Sequence, residues 1–168
     1  MKHCLIDASA FMLLIKKADP KSTIKFLQDS SILDLTYYEV GNAVWKESVL
    51  TKLLTPDAAK TLQRTAETVL AKIDRISGEA DSFEKIMEIA QLEKLTFYDS
   101  SYIHFAKEKG LQLITEDKEL KTKAQKYVKA QTVTTAILGK SFGTDRERIK
   151  PFTETDRGED CNEWKKGS

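Results

Sequence analysis

Four carboxylic acids lie where turns of this chain are expected, and three of them directly follow short, mostly apolar runs. The four acids are Asp7, Glu39, Asp99 and Asp117. The runs before the three aspartates are residues 4–6, 95–98 and 111–116. In open α/β sheets, ligands and catalytic groups collect just beyond the carboxyl ends of the strands. We therefore expect acids from distant parts of the chain to converge on one point.

Carboxylates that converge in this way repel one another. Two unit charges 4 Å apart interact with about 4 kcal/mol at an effective dielectric near 20. A hard divalent cation relieves that repulsion, and magnesium usually keeps several waters, so that one or two direct carboxylates suffice. We predict Asp7 and Asp99 as direct ligands, with Glu39 and Asp117 holding water on the ion or a second ion. Such an ion polarises a phosphate and activates water, so no histidine base is required.

Composition is typical of one soluble globular domain. The chain has 168 residues, of which 40% are hydrophobic and 32% are charged, and this length allows a real core. The formal net charge is only +1, which indicates no global basic field, although an acidic site can cancel a basic rim in the total. No apolar run reaches the roughly 18 residues that span a bilayer, so no membrane association is expected. Cys4 lies in a predicted buried strand and Cys161 in a polar tail, which favours a reducing, cytoplasmic location over a disulfide framework.

Strand and helix patterns alternate along the chain. Asp19-Pro20 and Thr55-Pro56 are helix-start signals, and Gly110 is a natural helix stop. The predicted strands are residues 2–6, 31–36, 95–98, 111–115 and 128–137. The predicted helices are residues 8–15, 20–29, 37–50, 56–73, 82–93, 99–109 and 117–126. This alternation predicts an α/β fold with a central, mostly parallel sheet flanked by helices.

The last 26 residues differ from the rest of the chain. In residues 143–168 apolar side chains become sparse, charges of both signs mix, and glycine and proline interrupt the sequence. We therefore expect residues 1–142 to form the domain. Residues 143–168 are expected to be a polar C-terminal extension, either lying on the surface or partly disordered.

The acids occur in four short motifs whose order and spacing extend over about residues 2–138. The motifs are Leu5-Ile6-Asp7-Ala8-Ser9, Tyr38-Glu39-Val40-Gly41-Asn42-Ala43, Tyr98-Asp99-Ser100-Ser101-Tyr102 and Leu113-Ile114-Thr115-Glu116-Asp117. Together they resemble a PIN domain, specifically the VapC-type toxin ribonucleases. The resemblance implies a PIN-like α/β/α sandwich in which these four acids bind magnesium or manganese and promote hydrolysis of RNA phosphodiesters. The helix-rich segment 51–92 and the C-terminal tail depart from that pattern.

Helix capping is the competing explanation for the acids. An aspartate at the start of a helix commonly caps it, and Glu39, in the first turn of a predicted helix, complements the macrodipole. For any one acid alone, capping is the commoner role. That explanation must apply four times, however, and it does not predict the shared order of the motifs, so the four acids together favour a metal site.

Five further residues are candidates for substrate contact or for support of the acids. They are Ser9, Asn42, Lys46, Thr115 and Lys118. Asn42 and Lys46 share the helical face of Glu39, and Thr115 matches a hydroxyl position that the resemblance places beside the last acid. Lys118 begins a basic stretch that would attract an RNA backbone; its five lysines are Lys118, Lys121, Lys123, Lys126 and Lys129. An ordinary solvated helix face explains the same lysine spacing.

The function expected from these observations is that of a metal-dependent endoribonuclease, the toxin of a toxin–antitoxin pair. The resemblance implies a homodimer that is restrained by a small antitoxin protein. Two alternatives stay open. One is a non-catalytic PIN-fold module that binds RNA or protein. The other is a phosphatase that forms an aspartyl-phosphate on Asp7, against which Ser9 stands where a second aspartate is usual.

Overall fold

A computed structural model describes residues 2–78 and 81–141 of the chain. In this part, five short strands form one parallel sheet in the order β3-β2-β1-β4-β5. The strands are β1 (Cys4–Ile6), β2 (Ser30–Leu33), β3 (Asp74–Ile76), β4 (Gln112–Ile114) and β5 (Ala130–Gln131). The parallel sheet predicted from the alternating pattern is therefore confirmed.

Helices connect all of these strands. They are α1 (Ala8–Lys17), α2 (Pro20–Gln28), α3 (Leu35–Trp45), α4 (Pro56–Leu70), α5 (Ser82–Glu93), α6 (Phe97–Glu108), α7 (Lys118–Ala124) and α8 (Val133–Ser141), with a π-helical turn at Lys46–Leu50 after α3. The local start signals act as expected, because the side chains of Asp19 and Thr55 accept hydrogen bonds from the first turns of α2 and α4. Gly110 follows α6 with a positive φ of 64°, a conformation that glycine adopts without steric cost.

The sheet is covered on both faces. Successive strand residues point to opposite faces, so Ile6 joins a core with α1, α2, α3, α4 and α8, whereas Leu5 joins a second core with α5, α6 and α7. Ile32 and Leu33 of β2 divide between the two cores in the same way. This arrangement is the predicted α/β/α sandwich.

The strand order reverses at β1, the central strand. The chain passes from β1 to β2 on one side, and β4 joins β1 on the other. In such sheets the crevice beyond the carboxyl ends of the strands at the reversal is the usual ligand site. Helix α6 leads directly into β4, so the N-terminus of α6 also lies toward this edge.

The strand predicted at residues 95–98 is wrong. Lys94 ends α5 in the left-handed conformation, with a φ of 53°. The hydroxyl of Thr96 then accepts a hydrogen bond from the Asp99 N–H and caps α6. The apolar side chains of Leu95 and Phe97 pack against the second core from this helix–helix corner. Capping therefore overrides the strand-like run.

Other parts of the prediction also differ from the structure. Thr36 belongs to α3 and not to β2, and the run 128–137 contains only the two-residue β5 before α8 begins. Strand β3 was not predicted, because its Asp74 and Arg75 are exposed at the sheet edge and show no apolar periodicity. The predicted extension, residues 143–168, lies outside the described residues. Within the described part, no helix combines the length and apolar character needed to cross a bilayer.

Candidate active site

Asp7 occupies the end of the central strand and is 5% exposed. Its carboxylate caps α1 by accepting a hydrogen bond from the Ala10 N–H at 2.8 Å, and the Ser9 hydroxyl donates to it at 2.8 Å. The Thr115 hydroxyl donates to the second oxygen of Asp7. The pKa of Asp7 is raised from 3.8 to about 6, with burial as the largest cause; the charge of Asp117 adds to the rise, and the three hydrogen bonds oppose it. Asp7 is therefore a destabilised anion in a defined position.

The loop after β4 adds the second aspartate. The Thr115 hydroxyl accepts the Asp117 N–H at 3.0 Å, and the Asp117 carboxylate caps α7 by accepting the Leu120 N–H at 2.8 Å. The Glu116 N–H donates to the Ser9 hydroxyl at 2.9 Å. Ser9 and Thr115 therefore join the loops after β1 and β4, and both contact Asp7.

Glu39 lies in the second turn of α3, one turn later than expected, because α3 begins at Leu35. It is half-buried and accepts a hydrogen bond from the Tyr102 hydroxyl at 2.6 Å. Burial is the largest cause of the raised pKa of Glu39, and the charges of Asp7 and Asp99 add to it. The glutamate is thus electrostatically coupled to acids from two other parts of the chain.

Asp99 is in the first turn of α6, on the same helix as Tyr102. The Thr96 hydroxyl donates to the Asp99 carboxylate at 2.7 Å. Asp99 does not cap the helix itself, since Thr96 does so. Capping is therefore a true role for Asp7 and Asp117 but not for Asp99.

Sequence reasoning missed two residues beside the acids. Tyr102 is 1% exposed and contacts Glu39, and its hydroxyl lies 2.8 Å from that of Thr36, which is fully buried. Helical spacing carries a signal for both, since Tyr102 lies one turn after Asp99 and Thr36 one turn before Glu39. Burial raises the pKa of Tyr102 far above its ordinary value, so this phenol keeps its proton and acts as a donor.

None of the four acids forms an ion pair with a lysine, arginine or histidine of residues 2–78 and 81–141. Other buried or half-buried acids do have such partners, as in Glu93 with Lys126 at 2.6 Å. The four acids thus provide oxygen donors with no counter-charge in this part of the chain. That donor set suits a hard cation such as magnesium or manganese.

Across these described residues, no group of three or more histidines, cysteines or acids is arranged to hold a metal ion. A full protein cage for the ion therefore does not fit the side chains as they stand. Magnesium is usually held by one or two direct carboxylates with water in the remaining positions, and that mode needs no such group; the electrostatic coupling of Asp7 to Asp117 and of Glu39 to Asp7 and Asp99 is consistent with it.

The predicted polar residues around the acids divide into two groups. Ser9 and Thr115 contact Asp7, whereas Asn42 and Lys46 are exposed and form no side-chain hydrogen bond to Glu39 or another described residue. Lys118 is exposed beside Asp117. Two other lysines of the basic stretch are paired within the protein, Lys123 with Glu119 and Lys126 with Glu93. The basic stretch is thus smaller than its lysine count indicates.

Comparisons with known proteins identify the family. Residues 4–126 match the family model described as PIN domain. The chain is 35% identical over 129 residues to a protein named exonuclease VapC9 from Pyrobaculum aerophilum, covering 77% of this chain and 91% of that protein. It is 27% identical over 123 residues to ribonuclease VapC3 of the same organism, covering 71% and 92%.

Two solved structures share the fold. The crystal structure of PAE2754 from Pyrobaculum aerophilum superposes with a TM-score of 0.69 at 34% identity, covering 82% of this chain and 96% of that one. A structure of FitAB bound to an IR36 DNA fragment superposes with a TM-score of 0.56 at 15% identity, covering 77% and 94%. The second likeness bears on the fold alone.

Proposed function

This chain belongs to the PIN domain family, and from that membership and the site geometry we propose that it is a metal-dependent ribonuclease of the VapC toxin type. The observation that carries the proposal is Asp7, a buried carboxylate whose pKa is raised to about 6 and which has no cationic partner in the described part of the chain. An anion kept in so unfavourable a place indicates a counter-ion that arrives from solution. The relatives named exonuclease VapC9 and ribonuclease VapC3 support a nuclease.

Asp7 and Asp99 are proposed as direct ligands of magnesium or manganese, with Glu39 and Asp117 supporting them. When bound, the ion would neutralise the acids, polarise the scissile phosphate and lower the pKa of an attacking water. Ser9 and Thr115 keep the Asp7 carboxylate in one orientation. The Tyr102 hydroxyl donates to Glu39, and the Thr96 hydroxyl donates to Asp99. Lys118 is proposed to contact an RNA phosphate beside Asp117, and Asn42 and Lys46 to contact one beside Glu39.

The central test is RNA cleavage by purified protein with manganese or magnesium and with EDTA. Asp7→Asn and Asp99→Asn are expected to reduce cleavage by on the order of a hundredfold or more, because each removes an electrostatic group at the reacting phosphate. Asp57→Asn is the matched control, since Asp57 also lies in the first turn of a helix but is exposed and distant in sequence from the motifs. Cleavage by Asp7→Asn and Asp99→Asn at the wild-type rate would refute the roles of these acids. Diverse RNAs left uncut by wild type with either metal would refute the ribonuclease assignment.

Metal binding is measured separately from cleavage. At about 100 times its Kd, manganese stabilises a protein that binds it only in the folded state by about 2.7 kcal/mol. Wild type and Asp57→Asn should show this thermal shift, and Asp99→Asn should lose it. A non-catalytic module would instead bind RNA equally well in EDTA and in the acid-to-amide variants.

We propose endonucleolytic cleavage, and the name exonuclease VapC9 makes exonucleolytic cleavage the second candidate. A circular single-stranded RNA separates the two activities because it has no ends. Cleavage of the circle supports an endonuclease. Degradation of the linear form alone, with an intact circle, supports an exonuclease.

We also propose that the protein is a homodimer and is inhibited by a small antitoxin. Exposed apolar side chains on α5 support a protein partner, since Phe83, Met87 and Leu92 are 61%, 40% and 74% exposed. Sedimentation velocity should detect a dimer in wild type that Leu92→Lys weakens.

The proposed antitoxin is tested separately. Co-expression with the product of a short adjoining reading frame should yield a complex with suppressed RNA cleavage.

A further inference from the structure

A chain of three hydrogen bonds ends on Glu39. The Leu33 N–H donates to the Thr36 hydroxyl at 3.2 Å, the Thr36 hydroxyl lies 2.8 Å from that of Tyr102, and Tyr102 donates to Glu39 Oε2 at 2.6 Å. Thr36 is 0% exposed and Tyr102 is 1% exposed. These hydrogen bonds are therefore shielded from solvent as far as the Glu39 carboxylate.

The direction of these hydrogen bonds follows from counting protons. A carboxylate only accepts and a phenol has one proton, so Tyr102 uses that proton for Glu39. The Thr36 hydroxyl must then donate to the Tyr102 oxygen, and its own oxygen accepts the Leu33 N–H. Each member is satisfied in only this direction, and reversing one bond leaves a buried donor unpaired, which is costly.

The same hydrogen bonds also connect α3, which carries Glu39, with α6, which carries Asp99. Tyr102 lies one helical turn after Asp99 on α6, and Thr36 lies one turn before Glu39 on α3. Leu33 is the last residue of β2. Oε1 of Glu39, unlike Oε2, accepts no hydrogen bond from any residue that the structure describes.

From this geometry we propose that Tyr102 is a positioning residue, which holds Oε2 of Glu39 so that Oε1 faces the metal site. This inference rests on the proposed function, since it assigns Tyr102 a role toward the ion bound by the acids. Thr36 directs the Tyr102 proton and is the second member of the device. Neither residue needs to touch the RNA.

The test is the manganese affinity of Tyr102→Phe, read from the manganese-dependent thermal shift without RNA. Loss of one charge-assisted hydrogen bond is expected to weaken that affinity by about tenfold, with the KM for RNA unchanged. Tyr127→Phe is the matched control, because Tyr127 donates to the Glu93 carboxylate at 2.8 Å away from the four acids. It should keep the wild-type manganese affinity.

Two further comparisons isolate the pathway through Glu39. In a Glu39→Ala background, adding Tyr102→Phe should cause no further loss of affinity, because the acceptor is already gone. Thr36→Val should weaken manganese binding, and Thr36→Ser, which keeps the hydroxyl, should restore it. The Thr36 pair still decides the matter if Tyr102→Phe does not fold.

The positioning role would be overturned if Tyr102→Phe or Thr36→Val bound manganese as tightly as wild type. Such a variant would then lose only stability, as the control Tyr127→Phe does. That result leaves the ribonuclease proposal standing. A wild-type protein that neither binds manganese nor cleaves RNA would overturn both, so the two failures are distinguishable.

Discussion

At the scale of single residues, Asp7 combines two opposing requirements. Its place between Ser9 and Thr115 defines its geometry, while burial makes its charge unfavourable. Sites that bind cations often keep such strain, and removing it stabilises the protein at the expense of function. Two predictions follow from the contacts of this carboxylate.

Asp7→Asn is expected to stabilise the metal-free protein at neutral pH. The folded-state pKa of about 6 lies above the ordinary value of 3.8, so ionisation costs the folded state nothing below the ordinary value and progressively more as the pH rises to about 6. At about 1.4 kcal/mol per pH unit, the cost at neutral pH is on the order of 3 kcal/mol. Asparagine removes that charge and is an equally good N-cap.

The measurement is urea unfolding of both proteins in EDTA at about pH 4 and about pH 8. The stabilisation by Asp7→Asn should be small at the lower pH and largest at the higher pH. Asp57→Asn serves as the control, and its effect on stability should not increase from the lower to the higher pH. A variant less stable than wild type at the higher pH contradicts the prediction.

Thr115→Val is expected to reduce kcat/KM by about 10- to 100-fold, the usual loss when a hydrogen-bond partner of a metal ligand is removed, since Asp7 is proposed to be such a ligand. Thr115 is fully buried and donates to Asp7, and this bond lowers the pKa of Asp7. Its loss raises that pKa, so the acid limb of the pH–rate profile should move to higher pH. Thr115→Ser keeps the hydroxyl and should retain the wild-type profile. An unshifted limb in Thr115→Val would exclude this role.

At the scale of elements, helix ends determine where the acids lie. Asp7 and Asp117 cap α1 and α7, and Asp99 lies in the first turn of α6. Backbone N–H groups at a helix start favour an anion, so these positions hold carboxylates in place. The corner between α5 and α6, which precedes Asp99, also contains a left-handed residue that is not glycine, Lys94.

Lys94→Gly is expected to stabilise the fold by about 0.5–1 kcal/mol. Lys94 has a φ of 53° as the C-cap of α5, where glycine has no steric cost. Lys109→Gly is the matched control, because Lys109 is the C-cap of α6 with a φ of −88°. Glycine there adds disorder to the unfolded chain and removes an exposed ion pair with Glu108. In urea, the free energy of unfolding should be higher than that of wild type for Lys94→Gly and lower for Lys109→Gly.

At the scale of the whole molecule, the net charge of +1 conceals a local anionic site. Lys16, Lys123 and Lys126 pair with acids away from the four motifs. Lys118 is exposed beside Asp117 and forms no ion pair with the described residues. The near-neutral total therefore gives no measure of how strongly the edge of the sheet that carries the four acids would attract the proposed RNA substrate. Salt dependence of RNA binding measures that attraction directly.

A chain that ends at residue 142 is expected to keep the manganese-dependent thermal shift and RNA cleavage within about twofold, a change of about 0.4 kcal/mol. The PIN domain match ends at residue 126, and the PAE2754 chain is 96% covered by 82% of this one. The acids and their hydrogen-bond partners all precede residue 132. Loss of cleavage on truncation, with the manganese shift intact, would assign residues 143–168 a role in handling the RNA.

Much of the architecture was predictable from local patterns. The start of α2 after Asp19, the start of α4 after Thr55 and the stop at Gly110 each depend on atoms within one helical turn. The alternation of strands and helices predicted the parallel sheet, and the four acid motifs predicted the family. Such features survive in the sequence because the interacting groups are neighbours along the chain.

The remaining features depend on contacts between distant residues. Thr115 meets Asp7 across 108 positions and Tyr102 meets Glu39 across 63, so neither pairing leaves a periodic pattern. The raised pKa of Asp7 comes first from burial, which is created by packing α1 and β4 around it. The run 95–98 became a helix start because Thr96 caps α6 and the core accepts Phe97 from that corner. Residue types specified which groups are available for chemistry, whereas desolvation and partner geometry arose from the assembled layers.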